Sequence, residues 1–190
     1  RELQRRLDDL FWDAAEGAWY STTGEDKSVL LRLKEEYDGA EPSASSVAVL
    51  NLLTLSHLTA DPAMADKIER TFGMFSGSAS LRGRTVPMML AALSTYHAGM
   101  PQVVVVGEPT AADTQALMGL VRRRYIPNAV IVPVHEMHRR ELSRLLPWTQ
   151  ELRVRDGRAT AYVCRKFTCQ APVSTPEELA AHMADEIRKY

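Results

Sequence analysis

The stretch Pro101-Gln102-Val103-Val104-Val105-Val106-Gly107 divides this chain into two kinds of pattern. Four consecutive valines cannot alternate between core and solvent, so they read as a strand covered on both faces, and Gly107 ends it. Before Pro101 the apolar residues recur at helical spacing. Val47, Leu50, Leu53, Leu55 and Leu58 mark a helix so apolar that it packs on more than one side, with Ser43, Ser45 or Ser46 as its cap. Asp61-Pro62 opens the next helix, which carries Ile68, Phe72 and Phe75 toward Gly77, and a third begins near Thr85-Val86-Pro87 and stops at Gly99. The first residues belong to another helix, with Leu3, Leu7, Leu10 and Phe11 on one face.

Beyond Gly107 a helix from Ala111 to Arg124, a strand from Ala129 to Val132 and a basic helix from about His135 to Leu146 complete a β-α-β-α order. Leu152 to Arg155 and Ala159 to Val163 flank Asp156-Gly157, a good hairpin turn, although the second arm can equally pair elsewhere. Thr175-Pro176-Glu177-Glu178 then supplies a cap, a first-turn proline and a capping-box acid for the last helix. The expectation is a mainly α chain, with helical hairpins over 1–100 and a smaller α/β segment over 101–190 packed on them.

The composition bounds the function. A chain of 190 residues with 45% hydrophobic content holds a real core. Its 23 basic and 24 acidic residues leave a net charge of −1, which argues against nucleic acid or an anionic membrane surface as partner and favours a small or uncharged ligand. No apolar run reaches the roughly 20 residues that span a bilayer. The start, Arg1-Glu2-Leu3-Gln4, has no initiator Met and no signal-peptide core, so it reads as a piece of something longer. Two cysteines are too few for a disulfide scaffold and point to a reducing, cytoplasmic setting.

Four segments carry a family resemblance: 11–22 (FWDAAEGAWYST), 34–53 (KEEYDGAEPSASSVAVLNLL), 102–109 (QVVVVGEP) and 162–179 (YVCRKFTCQAPVSTPEEL). Together they resemble the thioredoxin-domain-containing proteins related to spermatogenesis-associated protein 20, the YyaL-like family, over essentially the whole chain. The resemblance implies the C-terminal part of a protein in which a thioredoxin-like domain precedes an α/α toroid similar to six-hairpin glycosidases and N-acylglucosamine 2-epimerase. Residues 1–100 would then complete the toroid, while the thioredoxin-like domain and the toroid's front lie outside this chain. Two functions are compatible with that: a carbohydrate-active enzyme of hydrolase or isomerase type, or a non-catalytic scaffold or binding module serving the redox domain. Relatives more often carry Asn where Ala44 or Ser45 stands, which removes an amide from this loop.

In a toroid, rim loops stand over the central cleft, and the link Lys34 to Ser46 leads into an inner helix. Asp38 and Glu41 are the candidate catalytic acid and base, and Trp12, Tyr37 and Ser43 the candidate groups for stacking on and bonding to a sugar. The same residues also make an ordinary turn, helix lead-in and cap. Cys164 and Cys169 lack Cys-x-x-Cys spacing, so buried free thiols are expected over a disulfide or a metal site. His135 and His138 lack the His-Glu-x-x-His spacing of zinc proteases, and His57 and His97 read as packing histidines, with His97 the better placed to reach a cleft. The loop after Val106 mimics a nucleotide turn but lacks its glycines, and Glu108 repels phosphate. No metal or cofactor is expected. Arg122-Arg123-Arg124 and Arg139-Arg140 read as solvated helix faces.

Overall fold

A computed structural model describes residues 1–126 and 128–187, without the side chains of 78–82, 186 and 187. Two compact units result, one from Arg1–Ser56 and Ala60–His97, the other from His57–Thr59 and the chain from Ala98 onward.

The first unit is helical, built on α1 (Glu2–Phe11), α2 (Ala44–Thr59), α3 (Pro62–Arg82) and α4 (Pro87–Ala98). Trp19, Leu52, Ile68, Phe75 and Met89 are buried in it. The Ser43 hydroxyl caps α2 by accepting from Ser46 N at 3.2 Å, and Asp61 caps α3 by accepting from Ala63 N at 3.0 Å. Gly77 does not end α3. A glycine stop needs a left-handed residue, and neither Gly73 nor Gly77 adopts positive φ, so the helix runs on to Arg82. Gly99 does adopt it (φ 74°), directly after α4. In α1, Leu7, Leu10 and Phe11 are half-buried while Leu3 at its start is exposed, and Gln4 is buried with its side-chain amide bonded to Asp8.

In the second unit, β1 (Pro101–Val106), α5 (Ala112–Arg123), β2 (Val130–Val134), α6 (Arg139–Leu145), β3 (Thr160–Arg165), β4 (Thr168–Cys169) and α7 (Pro176–Ile187) follow in chain order. The sheet order is β2-β1-β3-β4, with β1 parallel to β2 and antiparallel to β3. All six residues of β1 are buried, as expected of a central strand, whereas β2 alternates. Val103, Val105, Ala161 and Val163 pack on Leu117 and Val121 of α5 and on Leu179 and Met183 of α7. The basic segment after β2 is divided, with a 3-10 turn over Glu136–His138 before α6 and a second over Pro147–Glu151 after it. The Asp156-Gly157 turn forms, with φ of 52° and 69°, but only one bridge, Arg155 with Arg158, closes it. Its second arm pairs instead with β1 and, through Lys166-Phe167, with β4. Among the described residues no helix is long and apolar enough to cross a membrane.

Candidate functional site

In the first unit the acids singled out by sequence hold helices. Asp38 is buried. One carboxylate oxygen accepts from Ser43 N at 2.9 Å, and the other accepts from Met88 N at 2.9 Å and Met89 N at 3.2 Å. A single side chain thus caps the start of α2 and of α4 together. Burial opposes its ionisation, but the bonds from Ser43, Ser46, Met89 and Met88 outweigh that and hold the carboxyl below its ordinary pKa. Ser43 is buried beside it and donates to Ser46 Oγ at 2.9 Å. Glu41 is exposed on the same loop. Tyr37 is exposed as well, its ring lying where a Cβ on Gly39 would come within 2.6 Å of Cε1.

Trp12 meets Trp19 edge-on at 4.7 Å, across the bridge that closes the aromatic hairpin. The Lys67 ammonium and the Arg70 guanidinium each lie 5.4 Å from its ring, so cations already use the surface a sugar would stack on. Sequence reasoning missed Asp13, the hub of that hairpin. Asp13 pairs with Lys34 at 2.6 Å, accepts from the Tyr20 hydroxyl at 2.8 Å and caps its own turn through Ala15 N and Glu16 N. The Lys34 bond, working against burial and with those of Ala15, Tyr20 and Glu16, drives its carboxyl far below the usual carboxylate range. The Gly17 and Ala18 left-handed pair (φ 90° and 65°) was the local signal that Asp13 sits in a tight turn.

A different site opens in the second unit, at the C-terminal end of β1, where the chain leaves the sheet for α5. A cavity of about 400 Å³ is lined by Gly107, Glu108, Asp113, Thr114, Val154 and Arg158, among others. Such strand ends are where open α/β sheets leave room for ligands. Gly107 is required: a Cβ there would lie 2.3 Å from Thr114 Oγ1 and 3.0 Å from Ala159 Cβ. Its carbonyl lies 2.9 Å from His135 Nδ1. Asp113 accepts from Ala159 N at 2.7 Å and from Thr114 N at 2.8 Å, and the Ala159 amide, against burial, holds its carboxyl below the ordinary value. That carboxylate fills the place an anion would take at the start of α5. The Thr114 hydroxyl is buried in the cavity wall and has no hydrogen-bond partner. Glu108 makes no ion pair among the described residues. The sequence flags this loop as a nucleotide mimic, and the orphaned hydroxyl seven residues after Gly107 has no motif to announce it.

The cysteines are not free thiols. Cys164 and Cys169 are opposite each other in the β3–β4 ladder and form a disulfide. Spacing alone hid this, because the two-residue turn between the strands is Lys166-Phe167, both left-handed (φ 49° and 61°), without the Gly or Asn that announces such turns. His57 accepts from Met100 N at 3.4 Å and stacks near Phe167, a packing role, and His97 is exposed.

No protein-family model matches the chain, and no solved structure matches it. Over 93% of its length it is 39% identical to human spermatogenesis-associated protein 20, and 37% identical to the mouse protein of that name. A Caenorhabditis elegans protein described as uncharacterized is 27% identical over 94% of the chain. The chain spans 22–24% of the length of these relatives.

Proposed function

We propose that this chain, similar over 93% of its length to part of spermatogenesis-associated protein 20, is a non-catalytic, carbohydrate-binding segment of a larger protein. On this reading the helices of the first unit are hairpins of an α/α toroid completed elsewhere in that protein. The sugar site is the strand-end cavity of the second unit, not the Tyr37–Ser43 loop. The observation that carries it is the Thr114 hydroxyl, buried and without a partner in the cavity wall. A buried polar atom of this kind costs stability unless something meets it.

The lining suits a neutral polyol. Thr114 both donates and accepts, Glu108 accepts, Arg158 donates, and Val106, Ala111 and Val154 offer apolar surface to sugar C–H groups. The loop after β1 reads Gly107-Glu108-Pro109-Thr110 and offers hydrogen-bonding groups to a ligand but no thiol.

The opposing reading makes Asp38 and Glu41 an acid and base acting on sugar. Asp38 would then have to release the three amides it holds at the starts of α2 and α4. The test is a titration of the chain with neutral mono- and disaccharides, followed by amide chemical shifts. Saturable shifts at Gly107, Glu108 and Thr114, lost in Thr114→Val and Arg158→Ala and kept in Glu41→Gln, are expected. Shifts centred on Tyr37 to Ser43 and abolished by Glu41→Gln, or none with any sugar, would overturn the proposal.

A further inference from the structure

Four arginines converge on one concavity of about 690 Å³ in the second unit. Arg139, Arg140 and Arg144 come from α6, and Arg153 follows the 3-10 turn after it, with Gln150 and Glu136 also in the lining. The sequence places Arg139 and Arg140 on a solvated helix face, and the fold turns that face into one wall of a basic hollow.

The arginines differ in what holds them. Arg139 is half-buried and fixed: its Nε donates to Glu136 at 2.6 Å and its Nη1 to the Leu152 carbonyl at 2.8 Å. That pair also uses the only carboxylate in the lining. Arg140, Arg144 and Arg153 are exposed and make no ion pair among the described residues. Arg140 and Arg144 stand four apart on α6, the spacing at which like charges repel. A chain of net charge −1 has acids enough to pair them, yet among the described residues no carboxylate lies within ion-pair distance of these three. Three exposed guanidiniums lining one hollow, with a fourth fixed by its own bonds, suit a polyvalent anion, because each offers a planar donor fork that matches phosphate oxygens.

We infer that this concavity binds the phosphoryl group of a soluble phosphorylated small molecule. It is a second site, built on charge, and independent of the sugar reading of the strand-end cavity. The hollow is large enough for a phosphate ester together with the group that carries it.

Calorimetric titration of the chain with pyrophosphate tests this. The expected result is saturable binding of one equivalent that weakens as sodium chloride is raised. Arg144→Glu and Arg153→Glu each weaken it about tenfold or more. Arg144→Gln gives a smaller loss, and Arg122→Glu on α5 gives none. Thermal unfolding of all four variants reports whether they fold, and the exposed positions predict that they do. No binding, binding kept in both Arg144→Glu and Arg153→Glu, or equal loss in Arg122→Glu would overturn the inference. So would binding to phosphatidylcholine vesicles doped with phosphatidic acid in the absence of any binding to free pyrophosphate, which would make the hollow a lipid-headgroup contact.

Discussion

In the first unit the buried Asp38 carboxylate takes up three amide hydrogens, whereas in the second the more deeply buried Thr114 hydroxyl takes none. The contrast extends to neighbours. Asp13 is bonded to an ammonium, a phenol and two amides, while Arg140, Arg144 and Arg153 line one hollow and make no ion pair among the described residues. Both units leave buried polar atoms unanswered, Thr22 Oγ1 in the first and Gln102 Oε1, Thr114 Oγ1 and His182 Nδ1 in the second, but the carboxylates singled out in the first unit close turns and start helices. The lesson is that an acid in an attractive loop is weaker evidence of a site than a buried donor or acceptor with nothing opposite it.

The comparison can be broken most severely at Asp38. If its carboxylate holds two helix starts, Asp38→Ala lowers stability by about 3–4 kcal/mol, because several buried amides lose their acceptor at once. Urea unfolding measures it, and a loss under about 1 kcal/mol would mean the carboxylate is dispensable to the fold. Next is Asp13→Asn, expected to cost about 2 kcal/mol by leaving Lys34 with only the exposed Glu16 as partner. It also changes the acid limb. Both Asp13 and Asp38 have folded-state pKa values below the unfolded one, so their contribution is complete above about pH 5 and disappears as pH falls through 4 and below. A stability–pH curve for Asp13→Asn is therefore flatter below about pH 4 than that of the parent chain.

In the second unit the sign reverses. Thr114→Val keeps the shape and removes an unanswered hydroxyl, so it raises stability by about 0.5–1 kcal/mol while abolishing the sugar response. A loss above about 1 kcal/mol would show that the hydroxyl is satisfied in solution. The smallest effect belongs to Glu41→Gln, which stays within about 0.5 kcal/mol because that side chain is exposed.

What the sequence made legible follows from how local each signal is. The starts at Ser43, Asp61-Pro62 and Pro87 and the capping box at Thr175, where the Thr175 hydroxyl accepts from Glu178 N at 3.3 Å, depend on residues within one turn of each other. The valine strand was legible because burial on both faces needs nothing but composition. Partners brought in from afar were not. Ala159 N reaches Asp113 across 46 positions, and Met88 N reaches Asp38 across 50, so neither carboxylate could be assigned its role beforehand. The β3–β4 hairpin was hidden for a local reason, since Lys166 and Phe167 fill left-handed positions that glycine or asparagine usually signal.

The double cap at Asp38 also fixes when parts of the first unit come together. One oxygen finds the Ser43 amide five residues on, but the other meets Met88 and Met89 only after a loop of some fifty residues has closed. The amide hydrogens of Met88 and Met89 should therefore exchange with deuterium only when that loop opens as a whole. They would serve as a built-in clock for the opening of the helical unit, slow where the amide of exposed Arg84 in the neighbouring turn is fast.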